Sequence, residues 1–302
     1  MKLAAVYSFH CLSNVLEHNR VFMQALYSIT TLRKHSPLPI KVFVSPRSIV
    51  KSISDRLAVF NDVEVIYFDN STQNLDVNYQ EGGFAQLLDH RWKNALRTFE
   101  LFDVDKILYL DADTIFHGDP IALFLKYDNP NTLWARYDVT PHISKKLGID
   151  YGMNDGQFII SREIYQLISP NFYPRQQEMI RDLLASAKSM LTYDEHKLLH
   201  WLSVQYVVYK MLLDKRIPVG DMKREDVSLS TEPIFSHKAG CRPSCVLHHY
   251  FSGNMHLYVP REFWPKNEAK SLEVRLEDKT PCVCGKLFST NHNVRAVQRV
   301  VR

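Results

Sequence analysis

The chain has 302 residues, 45% of them apolar and 23% charged, enough to bury a substantial core as one large domain. Its net charge of +4 is too mild to mark a nucleic-acid binder, and no segment has the composition of a disordered tail. No apolar run approaches the roughly 20 residues needed to cross a bilayer. The N-terminus runs straight into a strand-like segment without an apolar leader, so a cytoplasmic protein with reduced thiols is expected.

The first hundred residues alternate strand and helix signals. Leu3 to Phe9 reads as a strand, and Asn19 to Lys34 as a helix with Val21, Phe22, Ala25, Leu26, Ile29 and Leu32 at helical spacing. Pro37 and Pro39 punctuate the chain before the strand Ile40 to Val44. Ser48 to Phe60 then reads as a helix and Val63 to Phe68 as a strand. A loop with Gly82-Gly83 precedes an amphipathic helix from Arg91 to Phe102. The apolar run Ile107-Leu108-Tyr109-Leu110 follows as a buried fourth strand and delivers Asp111-Ala112-Asp113-Thr114. This order predicts an α/β fold with a doubly wound, mostly parallel sheet. Ligands of such sheets lie beyond the carboxyl ends of the strands, where two aspartates one residue apart can converge on a divalent cation. Ser8 to Ser13, after the first strand, holds no glycine, which argues against a Rossmann dehydrogenase, a P-loop enzyme or a nucleotidyltransferase.

In the second half, Leu133 to Arg136 reads as a short strand, and Tyr151 to Ile160 enters another through a turn at Asn154-Asp155-Gly156. Helices are expected from Ser161 onward, over Gln176 to Met190 and over Asp194 to Leu213. A late strand is expected at Val246 to Phe251 and a closing helix at Asn291 to Arg302. That last helix sets Arg295, Arg299 and Arg302 on one face. It is a candidate contact for an anionic membrane surface or a nucleic-acid backbone. Cys241, Cys245, Cys282 and Cys284 form two close pairs that could staple the C-terminal region around a structural zinc, although the spacing is looser than a usual zinc knuckle.

Three segments in order carry a family resemblance: Ile107 to Pro120 with its Asp-x-Asp, Asn154-Asp155-Gly156, and the late strand with His249 and Gly253. Together they resemble the GT-A glycosyltransferases, most closely the glycogenin-like retaining group. The resemblance covers residues 1–260, a nucleotide-binding half at 1–120 and an acceptor half at 121–260, followed by a C-terminal extension at 261–302. It implies a transferase that moves sugar from a nucleotide sugar, a UDP-sugar by family habit, to a glycan, glycolipid, protein or DNA acceptor. It also implies Asp111, Asp113 and His249 as ligands of Mn²⁺ or Mg²⁺. His248 points to the opposite face of the same strand, and His249 is preferred because it lies nearer Gly253.

By the same resemblance Lys93 contacts phosphate, Ser8 lies near the nucleobase or ribose, and Ala112 and Gly253 line the donor site. Asn154 and Asp155 face the sugar hydroxyls. For the family's Asp-Gln pair, either Gln205 matches its second member, with Val204 in place of the aspartate, or Asp194-Glu195 serves from an altered position. Asp155, Asp194 and Glu195 are candidates for a general base in an inverting relative. Gly253 stands one residue further from His249 than the family spacing. A rival reading is a phosphatase of the haloacid dehalogenase type, with Asp111 as nucleophile, Asp113 as acid/base, and Gly220-Asp221 with Asp226 as its late acidic motif. That family sets its motif on the first strand.

Overall fold

A computed structural model of the protein describes residues 1–69, 85–137, 146–148, 153–229, 245–250, 259–270, 279–281 and 287–289. The first half alternates β1 (Leu3–His10), α1 (Arg20–His35), β2 (Ile40–Ser45), α2 (Arg47–Leu57), β3 (Val63–Tyr67), α3 (Ala85–Leu101) and β4 (Lys106–Leu110). Then come β5 (Thr114–Phe116), α4 (Ile121–Lys126), β6 (Leu133–Tyr137), β7 (Met153–Ser161), α5 (Arg162–Ile168), α6 (Phe172–Ala187) and α7 (Tyr193–Asp214). Short strands follow, β8 (Val219–Asp221), β9 (Val227–Leu229) and β10 (Leu247–His249), and then an antiparallel pair, β11 (Lys279–Pro281) and β12 (Leu287–Ser289).

The main sheet has seven strands in the order β3-β2-β1-β4-β7-β6-β8. From β3 to β4 the neighbours are parallel; β7 then runs antiparallel to both β4 and β6. Both faces are covered, as a parallel sheet requires, and alternation along each strand sorts the side chains. Ile107 and Tyr109 of β4 join the core under α3, α5, α6 and α7, whereas Leu108 and Leu110 join the core under α1, α2 and α4. Residues 259–264 return to that second core: Trp264 is buried, Phe263 packs on Tyr27 of α1, and Arg20 of α1 pairs with Glu268.

Ring stacking ties β4 and β7 to α3 behind their carboxyl and amino ends respectively. Trp92 stacks on Phe158 at 4.2 Å and 3°, and Phe158 on Tyr109 at 4.9 Å. Such pairs add about 0.5–1.5 kcal/mol each beyond the area they bury.

Two expectations need correction. Helix α3 begins at Ala85, six residues before Arg91. Its apolar stripe first shows at Trp92, but Ala85, Gln86, Leu87 and Leu88 are good helix formers and extend it backwards. Asn154-Asp155-Gly156 is also not a turn but lies inside β7, fully buried. The ladder continues through it because the Asp111 N–H donates to the Gly156 carbonyl at 2.6 Å, one step beyond the Leu110–Gln157 pair. The expected helix over 291–302 lies outside the described residues.

Candidate active site

Strand β4 ends at Leu110 in the middle of the sheet, and the chain leaves it through Asp111-Ala112-Asp113 into β5. β5 belongs to a second, three-stranded sheet in the order β5-β10-β9, where β10 runs antiparallel to it. The register sets His249 opposite Thr114, and the Tyr250 N–H donates to the Asp113 carbonyl at 3.0 Å. His249 is thereby held over the acidic pair. Its Nε2 lies 3.1 Å from Asp113 Oδ1 and 3.9 Å from Asp111 Oδ2. His248 points the other way, with Nδ1 2.8 Å from the Ser228 hydroxyl.

A fourth charged side chain enters from α3. Arg91 donates from Nη1 to Asp155 Oδ1 at 2.5 Å and from Nη2 to Asp111 Oδ2 at 2.6 Å, joining β4 to β7. Asn94, one turn on and fully buried, donates to the Ser8 hydroxyl at 2.7 Å. Gly156 closes the floor. A Cβ there would lie 2.6 Å from His249 Cε1 and 2.8 Å from Asp111 Oδ2, so only glycine lets the acidic pair and the imidazole approach β7 this closely. The Gly156 N–H is satisfied by Asn154 Oδ1 at 2.9 Å.

The charges are strongly coupled through space. Burial pushes the Asp111 carboxyl up to about 7; Arg91 pulls it back, and the neighbouring Asp113 adds to the rise. Burial would raise Asp113 as well, but the charge and hydrogen bond of His249 hold it below the usual carboxylate range. His249 is raised despite burial, because Asp113 faces it. Arg91 is likewise raised against its own burial by Asp111 and Asp155.

These directions set a pH dependence. Asp111 binds a proton more readily folded than unfolded, so the metal-free protein is expected to lose stability as pH rises from about 4 to about 7. His249 contributes in the same direction, since stability held by its raised pKa is lost as pH rises through it. The depressed Asp113 acts lower, losing its contribution as pH falls below the ordinary carboxylate range. Chemical denaturation across this window checks the sign; saturating Mn²⁺ is expected to flatten or reverse the slope, because a cation binds only the deprotonated ligands.

The donor set fits a divalent cation. One ligand atom each from Asp111, Asp113 and His249 lies within 4.8 Å of the others, and two carboxylates with an imidazole suit Mn²⁺ somewhat better than Mg²⁺. Asp155 Oδ2 is buried with no hydrogen-bond partner, while Oδ1 of the same carboxylate is held by Arg91.

Lys93, Asp194 and Gln205 lie on helices. Lys93 holds its ammonium 5.0 Å from the centre of the Tyr173 ring. Two residues on a helix point to nearly opposite sides, so the cation brought to the acidic pair is Arg91. The sequence did carry a signal for it: Arg91, Asn94 and Thr98 form a polar stripe at i, i+3, i+7 beside the apolar one. Asp194 lies in the first turn of α7 and Gln205 eleven residues further on, about 16 Å along the axis. Gln205 is buried, and Glu195 pairs with Lys146 and completes a capping box with Thr192. Gly253, Cys241, Cys282 and Cys284 lie outside the described residues. Cys245 is buried, 3.7 Å from the Ser228 hydroxyl.

The phosphatase reading fails on this topology. Three strand–helix units precede β4, and Asp221 sits on β8, three strands away from β4 or about 14 Å. Asp221 is bound there to Arg136, and Asp226 to Lys126 and Tyr127.

No protein-family model and no curated protein matches this chain. Among solved structures it is similar to the galactosyltransferase LgtC, solved in complex with donor and acceptor sugar analogues. The TM-score is 0.52 and the identity 14%, over 97% of this chain and 99% of that one. It is similar also to mouse xyloside xylosyltransferase 1 in its apo form, with a TM-score of 0.53 and 13% identity over 83% of this chain and 98% of that one. The chain has the GT-A fold of these glycosyltransferases, with its Asp-Asp-His cluster at the carboxyl end of the central strand.

Proposed function

We propose that the protein is a metal-dependent glycosyltransferase that moves a sugar from a nucleotide-sugar donor, taken as a UDP-sugar, to an acceptor hydroxyl. The observation that carries this reading is one partly buried constellation: Asp111, Asp113 and His249 within ligand distance of each other, and Arg91 linking Asp111 to Asp155. Asp111, Asp113 and His249 would hold Mn²⁺ or Mg²⁺, which supplies Lewis-acid stabilisation of the charge developing on a diphosphate leaving group.

The remaining roles belong to the protein's own side chains. Arg91 is the fixed cation beside the diphosphate and keeps Asp155 oriented, with Oδ1 engaged and Oδ2 left to accept from a donor-sugar hydroxyl. Asn154 braces the Gly156 N–H, and Ser8, held by Asn94, stands at the end of β1 toward the nucleoside. Lys93, two residues from Arg91 on α3, would be a further cation for phosphate, and Ala112, between the two aspartates, would line the donor side. Asp155, Asp194 and Gln205 are the candidates for the catalytic groups beside the sugar. The acceptor class proposed is a glycan, glycolipid or protein.

Thermal-shift titration with a panel of nucleoside diphosphates, with and without Mn²⁺, tests the reading. A ligand that binds only the native state raises its apparent stability by about 2.7 kcal/mol at a hundred times its Kd. Stabilisation by one diphosphate, dependent on metal, is expected. No response to any nucleotide would remove the proposal.

A further inference from the structure

We propose that a buried chain of hydroxyls, Tyr7–Ser28–Thr114, positions the Asp111–Asp113 turn for its cation, an inference that rests on the metal-dependent reading above. Thr114 is fully buried, and its hydroxyl donates to the Asp111 main-chain carbonyl at 3.0 Å. The Ser28 hydroxyl of α1 lies 2.8 Å from Thr114 Oγ1, and the Tyr7 phenol of β1 lies 2.8 Å from Ser28 Oγ.

The carbonyl at the end sets the direction of the whole chain. It can only accept, so Thr114 must spend its single proton there. Ser28 must then donate to Thr114, and Tyr7 to Ser28. All three hydroxyls are aligned one way, each polarised by the next, and burial holds the Tyr7 phenol in its protonated, donating form.

One turn further along α1, Thr31 provides a second bolt to the same strand. The Phe116 N–H of β5 donates to its hydroxyl at 3.1 Å, while that hydroxyl donates to the Ser28 carbonyl at 2.8 Å. Ser28 and Thr31 thus face β5 together at i, i+3. β5 follows the acidic pair directly and pairs with β10 so that Thr114 stands opposite His249. One helix face therefore sets the position of all three ligands: Asp111 through its carbonyl, Asp113 through the adjoining strand, and His249 through the register.

A purely packing role would need neither the hydroxyls nor their direction, since valine has nearly the shape of threonine. Partners that orient ligands typically change metal affinity by 10–100-fold when removed. The test is Mn²⁺ titration by electron paramagnetic resonance, alongside thermal unfolding, on wild type, Thr114→Val, Thr114→Ser and Ser28→Ala. The expected result is a rise of about tenfold in the Mn²⁺ Kd for Thr114→Val, a smaller rise for Ser28→Ala, and recovery in Thr114→Ser, which keeps the donor. Should Thr114→Val fail to fold, Ser28→Ala against wild type decides alone. Unchanged Mn²⁺ affinity in the folded variants, whatever their melting temperature, overturns the positioning role while leaving the metal site standing. Absence of Mn²⁺ binding by wild type itself overturns the metal reading, and this inference with it.

Discussion

Asp113→Asn is expected to lower kcat by at least about a hundredfold, the scale on which removing one stabiliser of developing charge acts, with only a small change in the stability of the metal-free protein. The two halves of this result have different causes. The variant removes a negative charge that a divalent cation needs, and an amide oxygen is a poor substitute for a carboxylate. Without metal, Asp113 helps push Asp111 up to about 7 but is itself held charged by His249, so the substitution relieves one effect and loses the other. The amide oxygen can still accept from His249 Nε2, which is 3.1 Å away. Unfolding curves with and without Mn²⁺, together with turnover of the nucleotide sugar identified by thermal shift, separate the two effects. Retained turnover in Asp113→Asn would sink the metal assignment; lost turnover with an unfolded protein would show that the carboxylate is structural.

Arg91→Met is expected to act the other way, destabilising the metal-free protein by about 3 kcal/mol, the usual cost of removing one partner from a buried charged set. Arg91 is the fixed cation that faces both Asp111 and Asp155, and methionine keeps the length of the side chain while leaving both carboxylates uncompensated. Acid should shrink the deficit, because Asp111 without Arg91 protonates even more readily. Mn²⁺ should recover part of it by neutralising Asp111, but not the part due to Asp155. Arg91→Lys is expected to fall between, since an ammonium is a point charge and cannot bridge two carboxylates as a planar fork does. Urea midpoints at about pH 7 and about pH 5 measure all of these. A metal-free Arg91→Met as stable as wild type would mean that the bridge contributes nothing.

The local features of this fold are written in short stretches of sequence. The stripe Val21, Phe22, Ala25, Leu26, Ile29, Leu32 placed α1 within one residue at each end. The unbroken run Ile107 to Leu110 marked a strand buried on both faces, which β4 is. The same run, followed at once by Asp-Ala-Asp, located the ligand end of the sheet, because a buried strand must end somewhere and charge cannot follow it inward. The Asn-Asp-Gly turn misled for an equally local reason. Those residues favour turns when nothing else decides, and here strand pairing with β4 decided.

What the sequence by itself determined is the alternation of strands and helices and the carboxylate pair at the end of the fourth strand, since both follow from residue spacing along a few turns or strands. Tertiary structure decided how partners meet that pair, and added Arg91 to the His249 that the family resemblance implied. His249 reaches it through a pairing across 135 residues, Thr114 to His249, and Arg91 reaches it from a helix whose facing is set by the Trp92–Phe158 stack. Neither contact leaves a periodic trace, because a strand of three residues is too short to show its period and a helix stripe says which face is buried but not against what. The choice of Arg91 over Lys93, of His249 over His248, and the need for glycine at 156 are consequences of that long-range pairing, in which one side chain's position depends on a backbone far away along the chain.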